Sequence, residues 1–265
     1  MLKNTSSTWG KAASIIFMCF FIMLLGCDDH EASTVITIKP YYHDTELGCE
    51  ARFNYQQEKW QLAQILFYLS DVEFQSSSDE WQSWPMTVSS SQTERVALIG
   101  KNCDDISSTG NWQLQLSDIP QASAIKKIRF TLGVPFILNH ANPLTQPSPL
   151  NDSSMFWVWQ TGHKFMRLET QSEDDNWLFH LGSTGCGSAS VMRAPKSECL
   201  YPNKVKVELE FNLNKPAIVF DIAQLLKDTA MSSETSCKSA VNDKRCQTLF
   251  NNLGINSNQK VFRRQ

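Results

Sequence analysis

The chain has 265 residues, with 24 Lys and Arg against 27 Asp and Glu and a formal net charge of −3 at pH 7. A mildly acidic chain is a poor candidate for nucleic acid, whose phosphates call for a basic face. The length suits one large domain or two small ones, and the composition is that of an ordinary globular protein.

The N-terminus reads as a targeting segment. Lys3 and Lys11 form a short basic region, and residues 12–25 are an apolar run. That run is too short for a standard membrane span and right for a signal-peptide core. It ends in Leu24-Leu25-Gly26-Cys27, which resembles a bacterial lipobox, with cleavage before Cys27 and acylation of that cysteine. An ordinary secretory signal cut slightly further on is the alternative. The expected division is a lipoprotein signal peptide over 1–26 and a single domain over 27–265. One or two acyl chains would anchor the protein to a membrane without spanning it. The expected location is the cell envelope, facing the periplasm, on the inner or the outer membrane. Without residues 1–26 the chain carries 22 basic and 27 acidic side chains, a charge of about −5.

Cys19 lies in the signal and Cys27 at the lipobox. Six cysteines remain: Cys49, Cys103, Cys186, Cys199, Cys237 and Cys246. An even number in an exported chain favours disulfides, although about 15 connectivities are formally open. Cys186–Cys199 and Cys237–Cys246 are natural local pairs, which leaves Cys49–Cys103 as a long-range staple. Thiolate metal ligation is the rival, weakened by the lack of any C-x-x-C spacing and by an oxidising compartment that consumes free thiols.

In chain order, residues 31–39 alternate as a first strand, and residues 41–49 are a polar loop. Residues 61–74 are a long apolar segment with strand-like alternation at Phe67, Leu69, Val72 and Phe74. Residues 76–91 form a Ser-rich loop. Short strands follow at 96–99, around Trp112, Leu114 and Leu116, and at 124–136. Residues 205–213 alternate most cleanly, Val205, Val207, Leu209, Phe211 and Leu213 against Lys206, Glu208, Glu210 and Asn212. Residues 218–226 start as a strand and turn helical at Asp221. The tail is a Cys-bracketed loop and a short helix at 247–253 stopped by Gly254. Many short strands with regular turns predict a mainly β fold, an antiparallel β-sandwich or irregular barrel with short helices, stapled by disulfides.

One stretch, 133–187, stands apart. It holds three of the five histidines (His140, His163, His180), three of the eight tryptophans (Trp157, Trp159, Trp177), and Pro143, Pro147 and Pro149. Irregular aromatic loops on a rigid scaffold are where proteins place chemistry. Common enzyme signatures are missing from the sequence: no G-x-S-x-G, H-E-x-x-H, Walker loop or G-x-G-x-x-G occurs. The glycine-rich Gly182-Ser183-Thr184-Gly185-Cys186-Gly187 reads as a tight turn, not a phosphate cradle. Imidazole suits copper and zinc, and His140 and His180 bracket the aromatic loop. His43 and His163 are spares, and His30 sits in the tether. Met155 and Met166 could offer thioethers to Cu(I), although core packing is the ordinary use of such residues. In a strand, Trp157 and Trp159 would share a face.

The blocks LGVPFILNHANPL, PSPLNDSSMFWVWQTGHKFMRLE, FHLGSTGC and SCKSAVNDKRC, in that order, resemble the MbnP-like family, also described as the four-cysteine half of a metallo-mystery pair. One departure is His163, where the family is expected to carry tyrosine. The resemblance implies an exported copper-binding protein, not an enzyme, acting in copper homeostasis or acquisition. It implies a copper site built from histidine and a kynurenine, made from tryptophan by a partner di-haem MauG-like enzyme. Kynurenine's amine can donate a lone pair, whereas the indole N–H can only give a hydrogen bond. On that resemblance His140 and His180 are the expected ligands, and Trp157 and Trp159 are equal candidates for conversion and ligation. A docking face for the di-haem partner is expected near the tryptophans. Two further readings stand beside it: a non-catalytic ligand-binding or structural β-sandwich lipoprotein whose aromatics stack a sugar or peptide, and a copper redox enzyme.

Overall fold

A computed structural model describes residues 34–76, 80–117, 125–240, 242–255 and 257–265, together with Met1. The expected signal peptide over 1–26 lies, apart from Met1, outside the described residues, as do Cys19, Cys27 and His30. Residues 32–265 form one compact unit.

The apolar segment at the middle of the first half is the hub. Glu58–Gln75 is a single 18-residue strand, β4 once the elements are numbered in chain order, and most of its positions from Trp60 to Phe74 are buried. A long stretch buried on both sides is what a central strand needs. Before it run β1 (Thr34–Tyr42), β2 (Thr45–Glu46) and β3 (Arg52–Tyr55). After it come β5 (Trp81–Ser83), β6 (Val96–Asn102), β7 (Gln113–Leu116), β8 (Lys127–Leu132), β9 (Lys164–Gln171), β10 (Asn176–Gly182), β11 (Val205–Glu210), β12 (Ala217–Asp221) and β13 (Phe262–Arg264). The helices are short: α1 (Phe136–Asn139), α2 (Ile222–Leu226) and α3 (Lys244–Leu253).

The strands form two sheets. An eight-stranded sheet runs β10-β9-β4-β8-β11, with β3, β5 and β6 also pairing β4. A five-stranded sheet runs β13-β12-β1-β2, with β7 on β1. The sheet curls into a half-barrel, and the fold is mainly β with short helices, as the alternation predicts. One pairing departs from the antiparallel rule: β1 and β12 run parallel, Ile38 opposite Ile218. Four phenylalanines join the sheets. Phe67 of β4 stacks on Phe220 of β12 at 5.1 Å, and Phe130 of β8 meets Phe262 of β13 edge-on at 5.4 Å. Such pairs add about 0.5–1.5 kcal/mol each beyond the area they bury.

The predicted strand at 124–136 is shorter, β8 ending at Leu132, because Pro135 starts α1. The predicted tail helix begins earlier, at Lys244, where the Asp243 carboxylate accepts from Arg245 N, and it ends as expected at Gly254 in the left-handed region. All three disulfides form with the expected pairing, Cys49–Cys103, Cys186–Cys199 and Cys237–Cys246. The last of these anchors the segment that covers the edge of β10: His180 N donates to Cys237 O, and Cys237 N to Leu178 O.

Candidate metal centre

β10 alternates. Trp177, Phe179 and Leu181 are buried in the core, so Leu178, His180 and Gly182 face the other way. On β9, Arg167 and Glu169 share that outer face: Arg167 is the register partner of His180 and Glu169 that of Leu178. The shift between Leu181 and Gly182 leaves β10 regular, because the unpaired residue is Phe165 on β9.

His180 is 8% exposed, and its Nε2 lies 2.7 Å from Glu169 Oε1. Arg167 grips the same oxygen through Nη2 at 2.6 Å. Burial alone would raise the Glu169 pKa, but hydrogen bonds from His180 and Arg167 and the guanidinium charge outweigh it and hold it at about 2. Burial pushes the His180 pKa below the ordinary value, against the pull of Glu169. At neutral pH the pair is therefore a carboxylate and a neutral imidazole whose Nε2–H donates. Nδ1 then carries the lone pair, and no described residue hydrogen-bonds to it. The backbone around His180 is clamped as well. Ser239 Oγ donates to His180 O and accepts from Gly182 N, and Asn203 Nδ2 donates to Gly182 O.

The Met155–His163 stretch is not a strand. Phe156 and His163 form one antiparallel bridge, and the Val158 carbonyl accepts from Thr161 N and Gly162 N to close a tight turn. The two tryptophans therefore part company. The half-buried Trp157 ring lies against Gly182, where an added Cβ would stand 2.5 Å from Trp157 Cζ3. Gly182 is two residues from His180 along β10, so the Trp157 ring packs against the strand position next after His180 on that face. The Trp157 indole N–H has no partner among the described residues. Trp159 instead donates its indole N–H to Ala141 O at 3.2 Å.

His140 follows α1 and sits by Trp159. Its Nδ1 is 3.2 Å from Trp159 O and its Nε2 3.1 Å from Asn139 Nδ2. The orientation of the Asn139 amide is fixed, because its Oδ1 accepts from His163 N at 2.7 Å. Asn139 thus presents its N–H₂ to His140, whose Nε2 must accept and whose Nδ1–H must donate. Gly162 makes room for this knot: its φ is 75°, and a Cβ there would meet the Asn139 carbonyl and amide oxygens at 2.5 Å. Burial lowers the His140 pKa, and the Trp159 carbonyl opposes it. The two expected imidazole ligands thus have separate hydrogen-bond partners, Trp159 and Asn139 for His140 and Glu169 for His180.

His163 is fully buried, with Nδ1 3.1 Å from Asn139 O and Nε2 2.9 Å from Leu150 O. The neutral ring donates to one of these carbonyls, and the lone pair on its other nitrogen faces the second carbonyl and not open space for a metal. Burial pushes its pKa down while the two carbonyls oppose. His43 sits in an exposed turn at φ 51°. Met155 and Met166 are wholly buried core residues. The Gly182–Gly187 segment is not the expected tight turn: Gly182 ends β10, Thr184 forms an antiparallel bridge with Tyr201, and the chain bends at Gly185, φ 68°, beneath Leu200 and Tyr201.

The donor chemistry fits copper at His180. A free imidazole nitrogen, with the opposite nitrogen held by an ionised carboxylate, is the arrangement that orients metal-binding histidines. Beside it, Gln64 pairs with Glu169 across β4 and β9, and its Nε2 is buried without a partner. His140 with Cys186 and Cys199 also converge, their ligand atoms within 4.8 Å of one another. The two sulfurs are bonded to each other, so this set offers no thiolate in the oxidised protein. Glu169 is not among the residues the sequence singles out. A signal for it exists: Arg167 ends the Lys-Phe…Arg block, and period-two alternation places Glu169 on the same face.

The family model for MbnP matches residues 31–241. MbnP from Methylosinus trichosporium has a similar fold, with a TM-score of 0.73 at 20% identity, over 84% of this chain and 88% of that one. No curated protein matches this chain.

Proposed function

The chain belongs to the MbnP family, and on that premise we propose that it is an exported, non-catalytic copper-binding lipoprotein of copper homeostasis or acquisition. The observation that carries the proposal is the free Nδ1 of His180, held in place through Nε2 by Glu169. Trp157 is the tryptophan we assign to kynurenine conversion by a di-haem MauG-like partner. Its ring packs against Gly182, two residues along β10 from His180, whereas the Trp159 indole donates to Ala141 O. Kynurenine's amine would supply the second nitrogen donor. His140 is the other imidazole of the expected set, and it joins only by giving up the Asn139 hydrogen bond at Nε2.

Docking of the partner is supported by an exposed apolar rim around the tryptophan turn. Ile137, Leu144, Val191, Met192 and Leu200 are each more than half exposed. Val191 is tied to the turn through its carbonyl, which accepts from Gln160 N. A rim of this kind marks an interaction surface.

The test is mass spectrometry and elemental analysis of protein purified from its host. The peptide carrying Trp157 and Trp159 is expected to have exchanged one carbon for one oxygen, at Trp157, with copper bound. An unmodified peptide and a copper-free protein would overturn the proposal.

A further inference from the structure

The Cys186–Cys199 disulfide closes a loop in which Pro195 is the one buried residue between the two cysteines. Val191 and Met192 are 54% and 64% exposed. The loop holds no helix or strand; besides the disulfide, Gln160 ties it down by donating from N to Val191 O and from Nε2 to Cys186 O. Against that bond stands His140, with Nε2 3.6 Å from Cys199 Sγ. The imidazole does not depend on the disulfide for its place. Trp159 O holds Nδ1, and the ring packs on Phe136 at 4.9 Å. Among the described residues no other three His, Cys, Asp or Glu side chains converge in this way.

We propose that reduction of Cys186–Cys199 turns this cluster into a second copper site, selective for Cu(I), with Cys186 and Cys199 as thiolates and His140 Nε2 as the third ligand. The site uses neither His180 nor Glu169 and does not rest on the reading of those residues; His140 Nε2, when bound here, is not available to the His180 set. The reductant is a dithiol of the thioredoxin chemical class. Its thiolate attacks one sulfur to form a mixed disulfide, and its second thiol then closes its own disulfide. The two electrons pass to Cys186 and Cys199, which leave as thiols with two protons. Binding Cu(I) as two thiolates releases those protons. His140 Nε2 exchanges the Asn139 N–H for the metal, and Asn139 keeps its bond from His163 N.

Thiolates with an imidazole are a soft donor set that suits Cu(I), and the conditions that open the disulfide also keep copper reduced. The sulfurs must part to about 3.8 Å, the span of two metal–sulfur bonds of about 2.3 Å at a tetrahedral angle. The exposed loop between them supplies that slack.

The test is an anaerobic Cu(I) titration of the full protein against a chromophoric Cu(I) chelator, before and after treatment with dithiothreitol. The reduced protein is expected to take up one more Cu(I) than the oxidised one, with a new thiolate-to-copper ultraviolet band. The double variant Cys186→Ser, Cys199→Ser is expected to lose the added Cu(I), and His180→Gln to keep it. His140→Gln, which leaves the disulfide intact, is expected to weaken the added site about tenfold or more, the scale on which perturbed metal sites lose affinity. Circular dichroism of each variant checks its fold. Equal Cu(I) uptake by oxidised and reduced protein would overturn the proposal. So would an added Cu(I) that survives in the double serine variant, since it would then belong to another cysteine pair.

Discussion

Nε2 of His180 lies 2.7 Å from Oε1 of Glu169, and this contact decides which nitrogen of the imidazole is free. The Glu169 pKa is held at about 2, so the group is a carboxylate throughout the physiological range and can only accept. Nε2 carries the proton and Nδ1 the lone pair. Glu169→Gln keeps the shape but removes the charge that orients and polarises the ring. Copper affinity of that variant, measured by competition with a chelator, is expected to fall about 10- to 100-fold. An unchanged affinity would show that Glu169 serves only the fold.

The same groups make stability depend on pH. His140, His163 and His180 all have folded pKa values lowered by burial. The unfolded chain therefore takes up protons below about 6.5 that the fold resists, and stability is lost as the pH falls from there. Glu169 adds a second step. Its folded pKa of about 2 lies below the ordinary 4.5, so its contribution is full above 4.5 and is lost between there and 2. Thermal unfolding of the metal-free protein is expected to show a midpoint that drops below pH 6.5 and drops again below 4.5. A midpoint flat from neutral pH down to about 5 would contradict the neutral, buried imidazoles.

Gly182 is required by its neighbour and not by its own backbone. An added Cβ would stand 2.5 Å from Trp157 Cζ3 and 2.9 Å from His163 O. Gly182→Ala is expected to cost about 1–3 kcal/mol, the usual penalty of overpacking, and to displace the Trp157 ring. Urea unfolding reads the first effect and near-ultraviolet circular dichroism the second. If copper binding and the aromatic signal both stay unchanged, Trp157 does not lie where the site needs it.

His163→Phe separates a structural histidine from a ligand. The neutral ring has one N–H, so the variant leaves one of the Asn139 and Leu150 carbonyls without its donor. A loss of about 1–3 kcal/mol is expected, the cost of an unsatisfied buried polar group, with copper affinity unaltered in the folded fraction. Loss of copper with full stability would make His163 a ligand after all.

Much of the fold is legible because burial writes a period-two pattern on half-buried strands. β11 and β12 stand where the alternation of Val205–Glu210 and the run before Asp221 place them. Two of the disulfides join cysteines close in sequence, and the third takes the pair that remains. β13 escapes such a reading because Phe262–Arg264 has only three residues, and its place comes from pairing with β12, far away in sequence. The site is half legible. His180 is visible as an imidazole beside a glycine turn, but nothing local shows that Glu169 crosses the β9–β10 pair to meet it. The split between the tryptophans is hidden for a similar reason. Trp157 and Trp159 look alike in sequence, and Gly182 and Ala141, which tell them apart, lie 25 and 18 residues away. Asn139 shows the same limit, since its role is set by His163 N, 24 residues on.

Copper at His180 is tested most directly by the copper content of His180→Gln against the parent protein. Both are isolated from the host cell, and both are shown folded by circular dichroism. A site built on the free Nδ1 predicts that the parent retains copper through dialysis against a weak chelator and that His180→Gln does not. Equal copper in the two proteins would contradict it.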